Sequence, residues 1–402
     1  MKIRNKGRKI YKTKEKKYNG KNPAGKAFSV VLSILLIGGI GFLGYSVAEP
    51  IVNYTKKKGD NAVAENTNPT VSAVPTTEAA TNDDGTAVET VKNTSLEQYR
   101  AIALTESDMT SLDSIKLALN KVPVNMDIEY IEIPLKLSGG SITYASSIER
   151  AVMSGAVKSS VTLSDIVTAV QTAGFKPVAL ISTFDDNIVP VTYHETGYIT
   201  VDDGSQWIDD NAESGGKPWI SPLSADGLSY LSDIVGEVSA AGFERVVCSD
   251  FIFPPFRESD LLMLDYQLSG DGRYMLLTSA ANMLYDRAVS SGSTMDIEVS
   301  AVDVLKGDDD VISQPMMLSV DTVMVNVDID EIGNGIVSDT TSYEFMGTAE
   351  DKTKRMLELL GDRLSGYSNV IVRISGSSVN SGELLKAADA AEEMGYDSYV
   401  IG

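Results

Sequence analysis

The chain has 402 residues, enough for one large domain or two of average size. Its net charge of −22 is split: residues 1–26 hold eleven Lys or Arg against one Glu, so the remainder must sum to −32. An acidic body of that size repels phosphate backbones and sets nucleic acid aside as a partner, while one cysteine, Cys248, and one histidine, His194, rule out an intramolecular disulfide and leave little for zinc or a Ser-His-Asp triad.

The basic tail of residues 1–26 runs into residues 27–48, AFSVVLSILLIGGIGFLGYSVA, which carry no charge over 22 positions. Coiled as a helix at about 1.5 Å per residue, they span roughly 30 Å of hydrocarbon. The positive charge before them outweighs Lys56 to Lys58 after them, which places the N-terminus in the cytoplasm and the rest outside. The triplet Ser46-Val47-Ala48 also fits a cleaved signal peptide. The apolar run is longer than the ~7–15 residues usual in such peptides, so an uncleaved single-pass anchor is expected. From Gly59 to Ser95 there is no aromatic residue, and Thr, Asn, Ala and acidic residues dominate. Such a stretch cannot bury enough apolar surface to offset the entropy of ordering. Residues 49–95 are therefore expected to be a disordered tether, with a reach of roughly 35 Å for its aromatic-free part, leading to an extracytoplasmic domain over residues 96–402.

That domain alternates short apolar runs with amphipathic segments of helical period. Predicted strands start at Tyr99 (YRAIALT), Met126 (MDIEYIEIPL), Lys176 (KPVALIS), Glu244 (ERVVCSD), Met295 (MDIEVSA), Asp321 (DTVMVNV), Asn369 (NVIVRIS) and Tyr396 (YDSYVIG). Helical segments stop at Gly174, Gly242 and Gly395 just before a strand, where glycine can take the left-handed backbone that reverses the chain. Repeated β-then-α units imply parallel strands, and eight of them predict an α/β fold, a (β/α)8 TIM-type barrel. No Gly-x-Gly-x-x-Gly loop follows the first strand, which sets an open doubly wound sheet behind the barrel. The fourth strand ends at Asp250, at the face where such barrels carry function. Strict alternation puts Cys248 and Asp250 on one face of that strand, and Val247 and Ser249 on the other.

The stretch GKPWISPLSADGLSYLSDIVGEVSAAGFERVVCSDFIFPP resembles the bacterial "putative glycoside hydrolase" domain of barrel fold, a family related to alpha-amylase-type barrels. The matching elements are Trp219 and Pro222, Gly242-Phe243, Asp250-Phe251 and Phe253-Pro254, with further likeness in YIEIPLKLSGGSITYAS, FKPVALISTFDD and EVSAVDV. The resemblance covers roughly residues 96–402. The chain departs from the family pattern at Leu180, where a basic residue is expected, and at Ser221, where an Asp is expected. It also lacks an Arg between the aromatics after Asp250, and ends its last strand in YVIG rather than a Trp-Asn pair.

Carboxylates are the groups left for chemistry, and neither a metal nor a cofactor is expected. Glycoside hydrolysis needs two of them across the scissile bond. The resemblance implies Asp250 as nucleophile, with Glu298 or Asp303 from the fifth strand as general acid. Glu132, ending the second strand, and Asp186, after the third, are expected at the rim as substrate-binding residues. Trp207 and Trp219 are candidate sugar platforms, or ordinary loop packing. Arg373 is too costly to bury alone and is expected to pair with an inward carboxylate such as Glu298, which would take that residue out of the acid role. The run from Asp328 to Asp339, DIDEIGNGIVSD, fails the calcium-loop template because Ile332 fills its fifth position, and Asp308 to Asp310 read as a solvated turn. The expected function is that of a membrane-anchored, extracytoplasmic glycoside-hydrolase-like protein acting on a cell-envelope or external polysaccharide. A non-catalytic barrel that binds glycan or an envelope protein, and a structural envelope component, are the alternatives.

Overall fold

Each of the eight predicted runs becomes a strand. They are β1 (Arg100–Ala103), β2 (Tyr130–Lys136), β3 (Lys176–Ser182), β4 (Arg245–Ser249), β5 (Thr294–Ser300) and β6 (Thr322–Asp328). After a hairpin of β7 (Gly335–Val337) and β8 (Ser342–Glu344) come β9 (Asn369–Ser375) and β10 (Tyr399–Ile401). The eight close into a parallel barrel in the order β1-β10-β9-β6-β5-β4-β3-β2, with the antiparallel hairpin separate from it. This computed structural model describes residues 98–402 apart from 124–125, 271, 308–310, 313–317, 319, 321, 339–340 and 365–368. The predicted tail, anchor and tether lie outside the described residues, as do the turn at 308–310 and the last position of the calcium-like run. Among the described residues no helix is long and apolar enough to cross a membrane.

Two packing layers follow from the two faces of each strand. Outward residues such as Val246, Cys248, Ile297, Val323 and Val325 pack under the surrounding helices in one large core. Inward residues, among them Tyr99, Ala101, Val178, Val247, Met324, Ile371 and Val400, fill the lumen as a second, smaller cluster. The helices stop where the glycines predicted: Gly174 and Gly242 have φ of +93° and +100°, a backbone that side-chain-bearing residues adopt at a cost. The hairpin was not foreseen. Asp328 ends β6 and caps the helical turn Ile329–Ile332, accepting from the N–H of Asp330 at 2.8 Å and of Glu331 at 3.3 Å. The acidic run is thus a cap followed by a hairpin, which agrees with its failure as a calcium loop.

The lumen is not wholly apolar. Arg373 on β9 is buried and shared between two carboxylates, Glu132 of β2 and Glu298 of β5, the latter 2.7 Å from its Nε. The second oxygen of Glu132 accepts from the Tyr99 hydroxyl at 2.9 Å. The predicted Arg373–Glu298 pairing is therefore present, but with a second, deeper partner. Toward the opposite end, Arg245 and buried Asp296 pair at 2.5 Å, with the guanidinium 4.9 Å from the centre of the Tyr99 ring. Removing the cation while leaving its carboxylates is the costly way to break such a cluster. Arg373→Met is expected to lower stability by about 3–5 kcal/mol in urea unfolding, with part of the loss recovered in the Glu132→Gln/Arg373→Met double variant.

Candidate functional site

Asp250 owes its position to one backbone rotation. The structure puts Val247 in the lumen and Cys248 under the helices, so regular alternation would carry Asp250 outward with Cys248. Instead Asp250 has φ +55°, the one positive value at a non-glycine residue among the described residues. Aspartate tolerates this region better than most side chains. The turn brings its carboxylate to the C-terminal end of the barrel beside Ser249, whose hydroxyl donates to it at 3.1 Å. The expected sharing of a face with Cys248 is thereby corrected. The expected place at the mouth stands, reached through a turn rather than through the pleat.

There Asp250 lines a cleft of about 200 Å³ together with Glu298, Asp303, Glu331, Asn326 and Ser300. Glu298 sits near the end of β5, its side chain 13% exposed. Its carboxylate meets the Arg373 Nε on one oxygen and accepts from the Asn326 amide at 3.1 Å on the other. Asn326 is itself fixed by the Ser375 hydroxyl at 2.9 Å. Burial raises the Glu298 carboxyl above its ordinary value; Arg373 opposes this, and the charges of Glu132 and Asp250 reinforce it. Ser300 ends β5 and caps the helix Ala301–Lys306, accepting from the N–H groups of Val302 and Asp303 at 3.1 and 3.3 Å. That cap sets Asp303 in the first turn, at the cleft wall. The same hydroxyl donates to Glu331 at 3.0 Å, whose carboxyl is also raised, chiefly by burial.

Of the residues expected to act, the structure gathers Asp250, Glu298 and Asp303 and leaves four elsewhere. Glu132 is not at the rim: it is fully buried in the lumen, held by Arg373 and Tyr99. Asp186 is fully buried too, 3.1 Å from the equally buried Lys136 ammonium. Neither can reach a substrate: Glu132 does not end its strand, since β2 continues to Lys136 and leaves this carboxylate inside the lumen, and Asp186, four residues past β3, is turned inward to neutralise Lys136. Trp207 is 4% exposed and packed against Tyr198 and Phe256, with ring centroids at 5.8 and 5.0 Å. Its faces are core, not platform. Trp219 is half-buried, with its indole N–H given to Asp209 at 2.9 Å. His194 is exposed in a short loop helix. Sequence reasoning missed Glu331 and Asn326. Asn326 was visible as an inward position of β6, and Glu331 as an acid just past that strand's end.

A family model described as "Putative glycosyl hydrolase domain" matches residues 101–325. No curated protein matches the chain in sequence. Among solved structures, the PgaB (BpsB) glycoside hydrolase domain from Bordetella bronchiseptica aligns at 12% identity and a TM-score of 0.50, over 76% of this chain and 94% of that one. A hypothetical protein from Ruminiclostridium thermocellum aligns at 17% identity and a TM-score of 0.41, over 49% and 96%. A GH20 exo-beta-N-acetylglucosaminidase from Vibrio harveyi aligns at 11% identity and a TM-score of 0.46, over 76% and 49%. At 12% identity the likeness to the Bordetella domain is one of fold.

The raised Glu298 carboxyl has a thermodynamic signature. The folded chain keeps this proton above the ordinary carboxyl value of 4.5, so it binds more protons than the unfolded chain as pH rises past that value. Stability from this group is full below that value and is lost as pH rises through the folded pKa. The stability of Glu298→Gln minus that of the wild type should therefore grow as pH rises from 4.5, as read from urea midpoints across a pH series.

Proposed function

The chain belongs to the family of putative glycosyl hydrolase domains, and on that premise we propose that it hydrolyses a glycan in the Asp250 cleft. The observation that carries this reading is a pair of carboxylates, Asp250 and Glu298, in one cleft but in different surroundings. An acid in this chemistry must hold a proton near working pH, while its partner must be ionised. Glu298 suits the first role. Arg373 does not disqualify it, because that cation also serves Glu132, and burial outweighs what attraction is left. In the proposed reaction Glu298 gives its proton to the glycosidic oxygen as the C–O bond breaks. Asp250 stabilises or captures the positive anomeric carbon, and water completes the hydrolysis. Asp303 and Glu331 line the same cleft as groups for sugar hydroxyls.

The substrate is proposed to be a cell-envelope or external polysaccharide, because residues 27–48 support a membrane anchor. An uncharged 22-residue run preceded by a strongly basic tail is the pattern of a single-pass helix with a cytoplasmic N-terminus. Residues 49–95 would then tether the barrel outside the membrane. Protease added to intact cells should release the barrel by cutting within that tether, and an internal location would leave it untouched.

One observation favours a second reading, a barrel that binds glycan without cleaving it. Leu180 packs against the lumen cluster, where the resemblance leads one to expect a basic residue. The full chain should release reducing ends from at least one of a panel of α- and β-linked glycans and purified cell wall. Asp250→Ala and Glu298→Gln should each lower that rate by about 10³-fold or more, and Glu298→Gln should remove the basic limb of the pH–rate profile. Retention of glycan by a folded wild-type chain that forms no product would select the second reading.

A further inference from the structure

The two carbonyls that bracket the backbone rotations of Asp250 have more donors than the barrel's own ladder supplies. The Ser249 carbonyl accepts from the N–H of Thr183 at 3.1 Å, and the Asp250 carbonyl from the N–H of Phe184 at 3.2 Å. Both are therefore satisfied by backbone. The single proton of the Thr183 hydroxyl is then shared between the same two oxygens, with Oγ1 2.6 Å from that of Ser249 and 2.9 Å from that of Asp250. One carbonyl group precedes the φ rotation of Asp250 and the other follows its ψ rotation. Holding both oxygens holds the residue between them.

Thr183 is itself anchored. It is fully buried, and the Lys136 ammonium donates to the carbonyls of Ser182 and Thr183 at 2.8 and 3.2 Å. Lys136 is neutralised by Asp186, which also accepts from the N–H groups of Ile188 and Val189. The end of β3 is thus tied on both sides of the hydroxyl. Gly140 lies so close to Asp186 that a Cβ there would fall 2.2 Å from its carboxylate, so the tie leaves no room for a side chain at that position.

We propose that Thr183 is a positioning residue of the cleft, whose hydroxyl clamps the carbonyls of Ser249 and Asp250 and so fixes Asp250 in the left-handed turn that aims its carboxylate into the cleft. A non-glycine residue at φ +55° costs about 1–2 kcal/mol relative to the regions it prefers. The extra bond offsets that cost locally. Without it, Asp250 gains access to extended backbone, which carries its side chain toward the face of Cys248. The catalytic part of this inference rests on the hydrolase reading above; the conformational part does not.

The test compares Thr183→Val, which keeps shape and loses the hydroxyl, with Thr183→Ser, which restores it, in the full chain. Amide exchange at positions 183 and 184, read by mass spectrometry, should quicken about 3- to 10-fold in Thr183→Val, the equivalent of one hydrogen bond. It should return to the wild-type rate in Thr183→Ser. Release of reducing ends from chitohexaose, cellohexaose and maltohexaose should show kcat lowered about 10-fold with KM unchanged, as a misaimed carboxylate requires, and again recovered by Ser. Unchanged exchange and turnover in Thr183→Val would overturn the proposal, since the hydroxyl would then be satisfying only itself. Faster exchange spread evenly over all barrel strands would overturn it equally, as a sign of global stability alone. If the wild type cleaves none of the three oligosaccharides, the exchange rates at 183 and 184 decide the clamp by themselves, and the hydrolase reading is judged by the wider glycan panel.

Discussion

One buried guanidinium organises the lumen beneath the Asp250 cleft. Arg373 stands in the lumen between Glu132 and Glu298, so three strands far apart in sequence share a single cation. A charge buried there is tolerable only with partners of opposite sign, and the arrangement gives it one more than neutrality needs. That excess divides unequally. Glu132 is fully enclosed and holds both the guanidinium and the Tyr99 hydroxyl. Glu298 is left at the cleft with a shared cation and an amide, and burial, helped by the charges of Glu132 and Asp250, raises its proton affinity against the pull of Arg373. The same interaction thus closes the lumen and gives Glu132 and Glu298 different surroundings, one enclosed and one at the cleft.

The second constraint is conformational. A regular strand end at β4 would waste Asp250 on the helix-facing side, since its neighbour Cys248 points there. A single left-handed residue redirects it. Such a turn survives only where surrounding bonds over-determine it, and the two carbonyls around Asp250 accept from two amides and a hydroxyl. The end of β3, knotted by Lys136 and Asp186, is the rigid base for those donors. Position at this cleft is set by backbone geometry as much as by the choice of side chain.

The fold was legible because its signals are local and repeated. Apolar runs at strand length, helical periods between them and glycine stops at Gly174 and Gly242 recur along the chain, and each was realised as read. The site was legible only in part. Asp250 could be placed from its strand end, a rule that depends on topology alone, and Glu298 or Asp303 only through the family resemblance. Glu132 and Asp186 lie buried instead: β2 runs on to Lys136, which leaves Glu132 within the lumen beside Arg373, and Asp186 faces Lys136 from another strand. Pairing across a barrel leaves no mark in local sequence. Trp207 was ambiguous for a related reason: a loop tryptophan becomes core when Tyr198 and Phe256 close over it. The turn at Asp250 was invisible because aspartate, unlike glycine, does not announce a positive φ.

The departures from the family pattern acquire a different meaning in this setting. A basic residue at position 180 would add a second cation to a lumen wall where Leu180 now packs against the apolar cluster. A cation near a carboxylate lowers its proton affinity. With leucine there, Arg373 alone faces Glu132 and Glu298, and no further cation opposes the burial and the neighbouring negative charges that raise the Glu298 carboxyl. A leucine where the resemblance leads one to expect a cation therefore leaves the raised Glu298 carboxyl in place. The fate of the Glu298 proton is a property of the whole charge cluster and not of any one motif.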